Sequence, residues 1–120
     1  MNNYNIEFVN EVDSTNSYLK NCVQKRGVAS PYCVYAGSQT AGRGQRSRVW
    51  DSQPFDNILS SFLVDDFGQL SNLPQLNNAA ALAIVDTLKE FKVDDVRVKW
   101  PNDVYVNSKK IAGILIENIV

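Results

Sequence analysis

The sequence predicts an α+β domain with helices packed on one face of a mixed β-sheet, and three observations carry that reading. The chain has 120 residues, 44% hydrophobic and 21% charged, which is ordinary globular usage and enough for a single hydrophobic core. Its apolar positions change period along the chain in the order strand, helix, strand, strand, helix and then three strands. Two helices are too few to cover both faces of a doubly wound parallel sheet.

Each element has its own local reason. Ile6-Glu7-Phe8-Val9 is short and β-favouring, and the helix-capping cluster Asp13-Ser14-Thr15-Asn16 follows it. The helix so begun carries Tyr18, Leu19, Cys22 and Val23 on one face and stops near Arg26-Gly27, where glycine accepts a left-handed conformation. Pro31 to Ala36 reads as a strand buried on both faces, because its apolar residues barely alternate. Gly37 to Pro54, with Gly37, Gly42 and Gly44 and few hydrophobes, is a long loop of the kind that commonly serves function and is expected to be mobile until a ligand orders it.

The core resumes at Asn57 to Val64, a strand ended by Asp65-Asp66-Phe67-Gly68. From Leu73 to Phe91 the positions Leu76, Ala80, Ala83, Ile84, Thr87, Leu88 and Phe91 recur at helical spacing, with Pro74 in the first turn. Val96, Val98 and Trp100 alternate with Arg97 and Lys99 as a half-buried strand does, and Pro101-Asn102-Asp103 breaks it. Val104-Tyr105-Val106 is then a short strand, Asn107-Ser108-Lys109 a turn, and Lys110 to Ile119 a last strand. A chain that stops in mid-strand is expected to be part of a longer fold, and the strand's edge, ending in Ile116, Ile119 and Val120, is expected to pair with a second copy as a homodimer.

Composition narrows the chemistry. Twelve Lys plus Arg against thirteen Asp plus Glu give a net charge of −1, so there is no global field for a polyanion and nucleic acid is not an expected partner. The absence of histidine removes Ser-His-Asp and Cys-His catalysis and imidazole metal sites together, and no metal site is expected. Cys22 and Cys33 form neither a C-x-x-C unit nor a disulfide framework and are expected to be reduced core residues. The start has no signal-peptide pattern, and the longest apolar run, Ala79 to Val85, is far below spanning length. A cytoplasmic protein with no membrane partner is expected.

The loop segment Thr40-Ala41-Gly42-Arg43-Gly44-Gln45-Arg46-Ser47-Arg48-Val49-Trp50 sets arginines among glycines. Glycine lets backbone N–H groups approach an oxyanion, and a guanidinium pairs with two carboxylate or phosphate oxygens at once. The segment matches neither the P-loop nor the G-x-G-x-x-G pattern. Taken alone it is equally a solvated basic loop. Further along, Lys99-Trp100-Pro101-Asn102-Asp103 puts polar groups at a strand exit, and Lys110 opens Lys110-Ile111-Ala112-Gly113-Ile114-Leu115, where small residues leave room beside the backbone. The other reading of Lys110 taken alone is an edge lysine that discourages aggregation.

Together, Asp13-Ser14-Thr15-Asn16, Gln39-Thr40-Ala41-Gly42-Arg43-Gly44-Gln45-Arg46, Trp50, Lys99-Trp100-Pro101-Asn102-Asp103 and Lys110-Ile111-Ala112-Gly113-Ile114-Leu115 resemble the catalytic domain of the biotin protein ligases, in family order and over nearly the whole chain. The resemblance implies a fold like that of the biotin and lipoate protein ligases and the class II aminoacyl-tRNA synthetases. It implies a two-step reaction, in which biotin and MgATP give biotinyl-5′-adenylate and a lysine of a biotin carboxyl carrier domain then takes the biotinyl group.

Carried over residue by residue, Ser14, Thr15 and Gln39 look like the groups that bind the ureido ring, and Gly42 and Arg43 like the loop over the biotin carboxylate and phosphate. Lys110 resembles the lysine that bridges carboxylate and α-phosphate, so that Arg43 and Lys110 are the implied catalytic pair. Gln45, Arg46, Trp50, Asn102 and Asp103 fall on the nucleotide side of the resemblance, with Arg43 and Lys110. Gln45 stands where several relatives carry arginine, and Ser47 where glycine is common. Residues 1–120 would form the N-terminal portion of such a domain, with no helix-turn-helix segment before it and no C-terminal β-barrel. A non-catalytic biotin-binding fragment and a lipoate or octanoate transferase are the alternatives. The polar set Ser14, Thr15 and Gln39 suits a ureido ring better than a saturated chain.

Overall fold

A computed structural model describes residues 5–119. Its elements are β1 (Asn5–Val12), α1 (Thr15–Arg26), β2 (Tyr32–Gln39), β3 (Leu59–Leu63), α2 (Leu73–Glu90), β4 (Val96–Lys99), β5 (Asp103–Val106) and β6 (Lys109–Gly113). The α+β class and the order of elements agree with the reading of the sequence. The described strands fall into two sheets rather than one. In the first, β1 pairs in parallel with β2 and β2 antiparallel with β3; in the second, β4, β5 and β6 form an antiparallel meander. The chain divides accordingly into two compact units, with a boundary between Asp66 and Phe67.

In the first unit α1 is the crossover that two parallel neighbours require. Ser14 caps it, its Oγ accepting from the Ser17 N–H at 3.0 Å. Gly27 ends it in the left-handed region at φ 64°, returning its N–H to the Cys22 carbonyl. Lys25 and Arg26 lie in the last turn, where the helix dipole favours cations. Leu19 and Cys22 of α1 are buried, as are Val34 and Ala36 of β2 and Leu59 of β3. Cys33, beside Val34 but on the other face, is also buried, so β2 is closed on both sides except at Tyr35. Both cysteines are free and buried, and burial pushes the Cys33 thiol upward.

In the second unit the Asn72 side chain caps α2 by accepting from the Gln75 N–H at 3.0 Å, with Pro74 in the first turn. The buried stripe of α2 runs through Asn77, Ala81 and Val85, whereas Ala83, Thr87 and Phe91 of the expected series are exposed. The helix is apolar over more than one stripe, so its own period leaves open which stripe packs. Packing against β4 and β5, where Val104 is fully buried, decides it.

The expected last strand over Lys110 to Ile119 is corrected to Lys109–Gly113. Past Gly113 one further step of the pairing with the β5 side remains, in which a side chain replaces a backbone donor: the Ile114 N–H donates to the Asn102 carbonyl at 2.9 Å, and the Asn102 side-chain amide donates to the Ile114 carbonyl at 3.0 Å. Residues 114–119 form no strand, so the edge from which self-association was argued is not formed there, and Val120 lies outside the described residues. No helix among the described residues is long and apolar enough to cross a membrane.

Candidate functional site

The parallel pair β1 and β2 places the candidate site. Val12 and Gln39 are register partners at the carboxyl ends of both strands, the edge where open α/β sheets present ligand-binding groups. The chain leaves β1 through Asp13 directly into the first turn of α1, so Ser14 and Thr15 arrive beside Gln39. Pairing continues one step beyond the strands, from the Thr40 N–H to the Val12 carbonyl at 2.9 Å and from the Ala41 N–H to the Asp13 carbonyl at 2.8 Å. The Gly-Arg loop is thereby held against the start of α1.

The Thr15 N–H donates to Gln39 Oε1 at 2.7 Å. A backbone N–H can only donate, so the amide oxygen of Gln39 must face Thr15 and its Nε2 must face the other way. That Nε2 borders Gly42, where an added Cβ would stand 2.7 Å from it and 2.5 Å from the Trp50 carbonyl oxygen. Glycine is required at position 42 by this close approach. The loop beyond closes as a narrow hairpin: the Trp50 N–H donates to the Gly42 carbonyl at 2.8 Å, Arg43 and Val49 form a bridge, and the Gly44 N–H donates to the Arg48 carbonyl at 2.7 Å. Gln45, Arg46 and Ser47 form a single 3₁₀ turn at its tip, Arg46 lying in the left-handed region. Trp50 is half-buried at the base.

Arg43 reaches back to α1, its Nη1 donating to Ser14 Oγ at 3.0 Å and to Ser17 Oγ at 2.6 Å. A guanidinium is thus set at the positive end of a helix dipole, where the Asp13 carboxylate already accepts from the Ser14 N–H at 2.6 Å. Ser61, which the sequence reading did not single out, completes the cluster with Asn16 of the capping segment. Ser61 of β3 lies 2.7 Å from Thr15 Oγ1 and donates to Asn16 Oδ1. Its signal was available: strand alternation puts Ser61 on the same face as the buried Leu59 and the half-buried Leu63, and a buried hydroxyl needs partners.

The second unit holds the remaining candidates. Asp103 and Lys110 form an ion pair, Nζ to Oδ1 at 2.9 Å, across the β5–β6 hairpin, whose register shifts at Val104 and Tyr105. Asn102 is engaged with Ile114 as described above and shapes the turn. Lys99 lies over the Tyr105 ring, 5.7 Å from its centroid. The structure therefore assembles Ser14, Thr15, Gln39, Gly42, Arg43 and Trp50 within one unit and Asp103 with Lys110 within the other.

A second polar cluster occupies the first unit around Glu7. Its carboxylate accepts from the Tyr18 hydroxyl at 2.5 Å, the Tyr32 hydroxyl at 2.6 Å and Arg26 Nη1 at 2.8 Å. These hydrogen bonds, Tyr18's first, lower the Glu7 pKa to about 2, and the same Glu7 bond raises Tyr18 to about 12 and moves Tyr32 upward.

Residues 8–120 match the model of the Biotin/lipoate A/B protein ligase family. Over 107 residues the chain is 37% identical to the bifunctional ligase/repressor BirA of Escherichia coli, covering 88% of this chain and 32% of that protein. Over 108 residues it is 37% identical to the biotin--[acetyl-CoA-carboxylase] ligase of Paracoccus denitrificans, covering 88% of this chain and 44% of that one. Among solved structures, the biotin protein ligase of Aquifex aeolicus in complex with biotin and ATP superposes with a TM-score of 0.82 at 36% identity, over 95% of this chain and 47% of that one. The chain thus spans less than half the length of these relatives. By the match over almost all of its residues, it belongs to the Biotin/lipoate A/B protein ligase family.

Proposed function

We propose that this chain is the N-terminal portion of a biotin protein ligase catalytic domain, which binds biotin, activates it with MgATP to biotinyl-5′-adenylate, and passes it to a lysine of a biotin carboxyl carrier domain. The observation that carries the reading is the juxtaposition of Thr15 and Gln39 with Arg43 at the start of α1: hydrogen-bonding groups suited to a urea stand beside a cation suited to a carboxylate. The similarity to the Aquifex aeolicus protein, solved with biotin and ATP, supports the same substrates.

In the first step a biotin carboxylate oxygen bonds to the α-phosphorus of ATP while the bond from that phosphorus to the departing pyrophosphate breaks. In the second, the carrier amine attacks the acyl carbon, the bond to the AMP oxygen breaks and the amine loses a proton. The first step brings two anions together, so its barrier falls where cations and backbone N–H groups are set in advance. Arg43 and Lys110 supply the cations, and Gly42 lets the loop backbone approach. Ser14, Thr15 and Gln39 hold the ureido ring. Gln45, Arg46, Trp50, Asn102 and Asp103 contact the nucleotide, and magnesium enters as part of the ATP substrate.

Single-turnover reaction of the chain with biotin and α-labelled ATP tests the reading. Labelled biotinyl-adenylate is expected, with Lys110→Ala slowing its formation by about 100-fold or more. Biotin binding by titration calorimetry without adenylate would restrict the role to biotin binding. No binding and no product overturns it. Octanoate in place of biotin is expected to give no acyl-adenylate, because a saturated chain leaves the polar groups unpaired.

A further inference from the structure

We infer that Asn16 and Ser61 set the polarity of the Thr15 hydroxyl, making it a hydrogen-bond acceptor and so selecting a ligand that presents an N–H. The inference rests on the biotin reading and adds the two residues that enforce the ureido preference.

Ser61 Oγ carries one hydrogen, and Asn16 Oδ1 can only accept, so that hydrogen goes to Asn16. Toward Thr15 Oγ1, 2.7 Å away, Ser61 can then only accept, and the contact is a hydrogen bond only if Thr15 donates its single hydrogen. Thr15 Oγ1 is left with lone pairs alone to offer. The hydroxyls of Thr15 and Ser61 are buried, so water does not readily reverse the order. On the neighbouring side the Thr15 N–H fixes Gln39 Oε1, which turns the Gln39 amide donor outward. The two groups together offer one acceptor and one donor, the complement of a urea edge with its N–H and carbonyl. An ester, thioether or alkyl ligand lacks that N–H and would leave the Thr15 oxygen desolvated and unpaired.

Ser61 and Asn16 are positioning residues here, acting through Thr15. The test is titration calorimetry of the full chain with biotin and with the two biotins methylated singly on a ureido nitrogen. The native chain is expected to bind one of the methylated isomers at least about tenfold more weakly than biotin. Ser61→Ala is expected to weaken biotin about tenfold and to abolish the preference between biotin and that isomer. Ser61→Thr keeps the hydroxyl, Asn16→Asp keeps an acceptor-only oxygen, and both are expected to retain the preference. Should Ser61→Ala not fold, Asn16→Ala removes the acceptor from the half-buried helix start and is expected to abolish the same preference. A purely structural role predicts that biotin and its methylated forms weaken by one common factor, and that result, or no change in either, overturns the inference. If the native chain binds no biotin, the functional reading and this inference fall together. If it binds biotin and the variants keep the preference, only this inference falls.

Discussion

The two ends of the β1–β2 pair make a controlled comparison. Both carry polar side chains under α1. At the Glu7 end, one carboxylate receives two phenolic hydroxyls and a guanidinium, and each oxygen has its donor. At the Gln39 end, after Thr15, Asn16, Ser61 and Gln39 have satisfied one another, an acceptor and a donor remain, with a guanidinium beside them. A polar cluster whose donors and acceptors match internally ties elements together. One with a remainder has hydrogen-bonding capacity left to offer a ligand.

The largest effect is expected from Arg43→Ala. Removing the cation at the open end is expected to slow adenylate formation about 100-fold or more while changing thermal stability little, read by single-turnover kinetics and a melting curve. Gly42→Ala comes next. The added Cβ must displace the Trp50 carbonyl or the Gln39 amide, and biotin affinity by calorimetry is expected to drop about tenfold, with the melting temperature shifted less.

Glu7→Gln probes the closed end and should do the reverse, lowering stability by about 1–2 kcal/mol in denaturant unfolding with biotin affinity unchanged. Its pH dependence gives the sign. Because the Glu7 carboxyl is held at about 2 against an ordinary value of 4.5, its contribution is complete above pH 4.5 and is lost as pH falls toward 2. The stability gap between native chain and variant should close over that window. The smallest effect is expected from Tyr32→Phe, which leaves Tyr18 and Arg26 on the carboxylate and should cost about 1 kcal/mol or less.

The elements were legible wherever the signal is local. Ser14 as a cap, Gly27 as a left-handed stop and Pro74 in the first turn of α2 are decided by hydrogen bonds within a turn or by one dihedral. They stand where the sequence places them. The last strand was overextended because Ile114, Leu115 and Ile116 are as β-favouring as the residues before them. At Ile114 the partner's donor is the Asn102 side-chain amide, twelve residues back, in place of a backbone N–H, which no propensity reports. The same limit explains α2, whose several apolar stripes made Asn77, Ala81 and Val85 indistinguishable from their neighbours until β4 and β5 packed on one of them. In the candidate site, Ser14, Thr15, Gln39, Gly42 and Arg43 were readable as residue types, whereas alternation could give Ser61 a buried face but not its partners Thr15 and Asn16.

The order of the elements, their caps and the stock of chemistry available follow from the chain alone, because each rests on neighbours within about four residues or on composition: no histidine, arginines among glycines, a lysine on the last strand. The tertiary structure alone decided which of those groups meet. Thr15 and Gln39 are 24 positions apart, Arg43 and Ser14 29, Thr15 and Ser61 46. Contacts at such separations exist only once strands pair and a helix closes over them. The direction in which Thr15 holds its proton is therefore a property of the folded cluster, carried by no single residue.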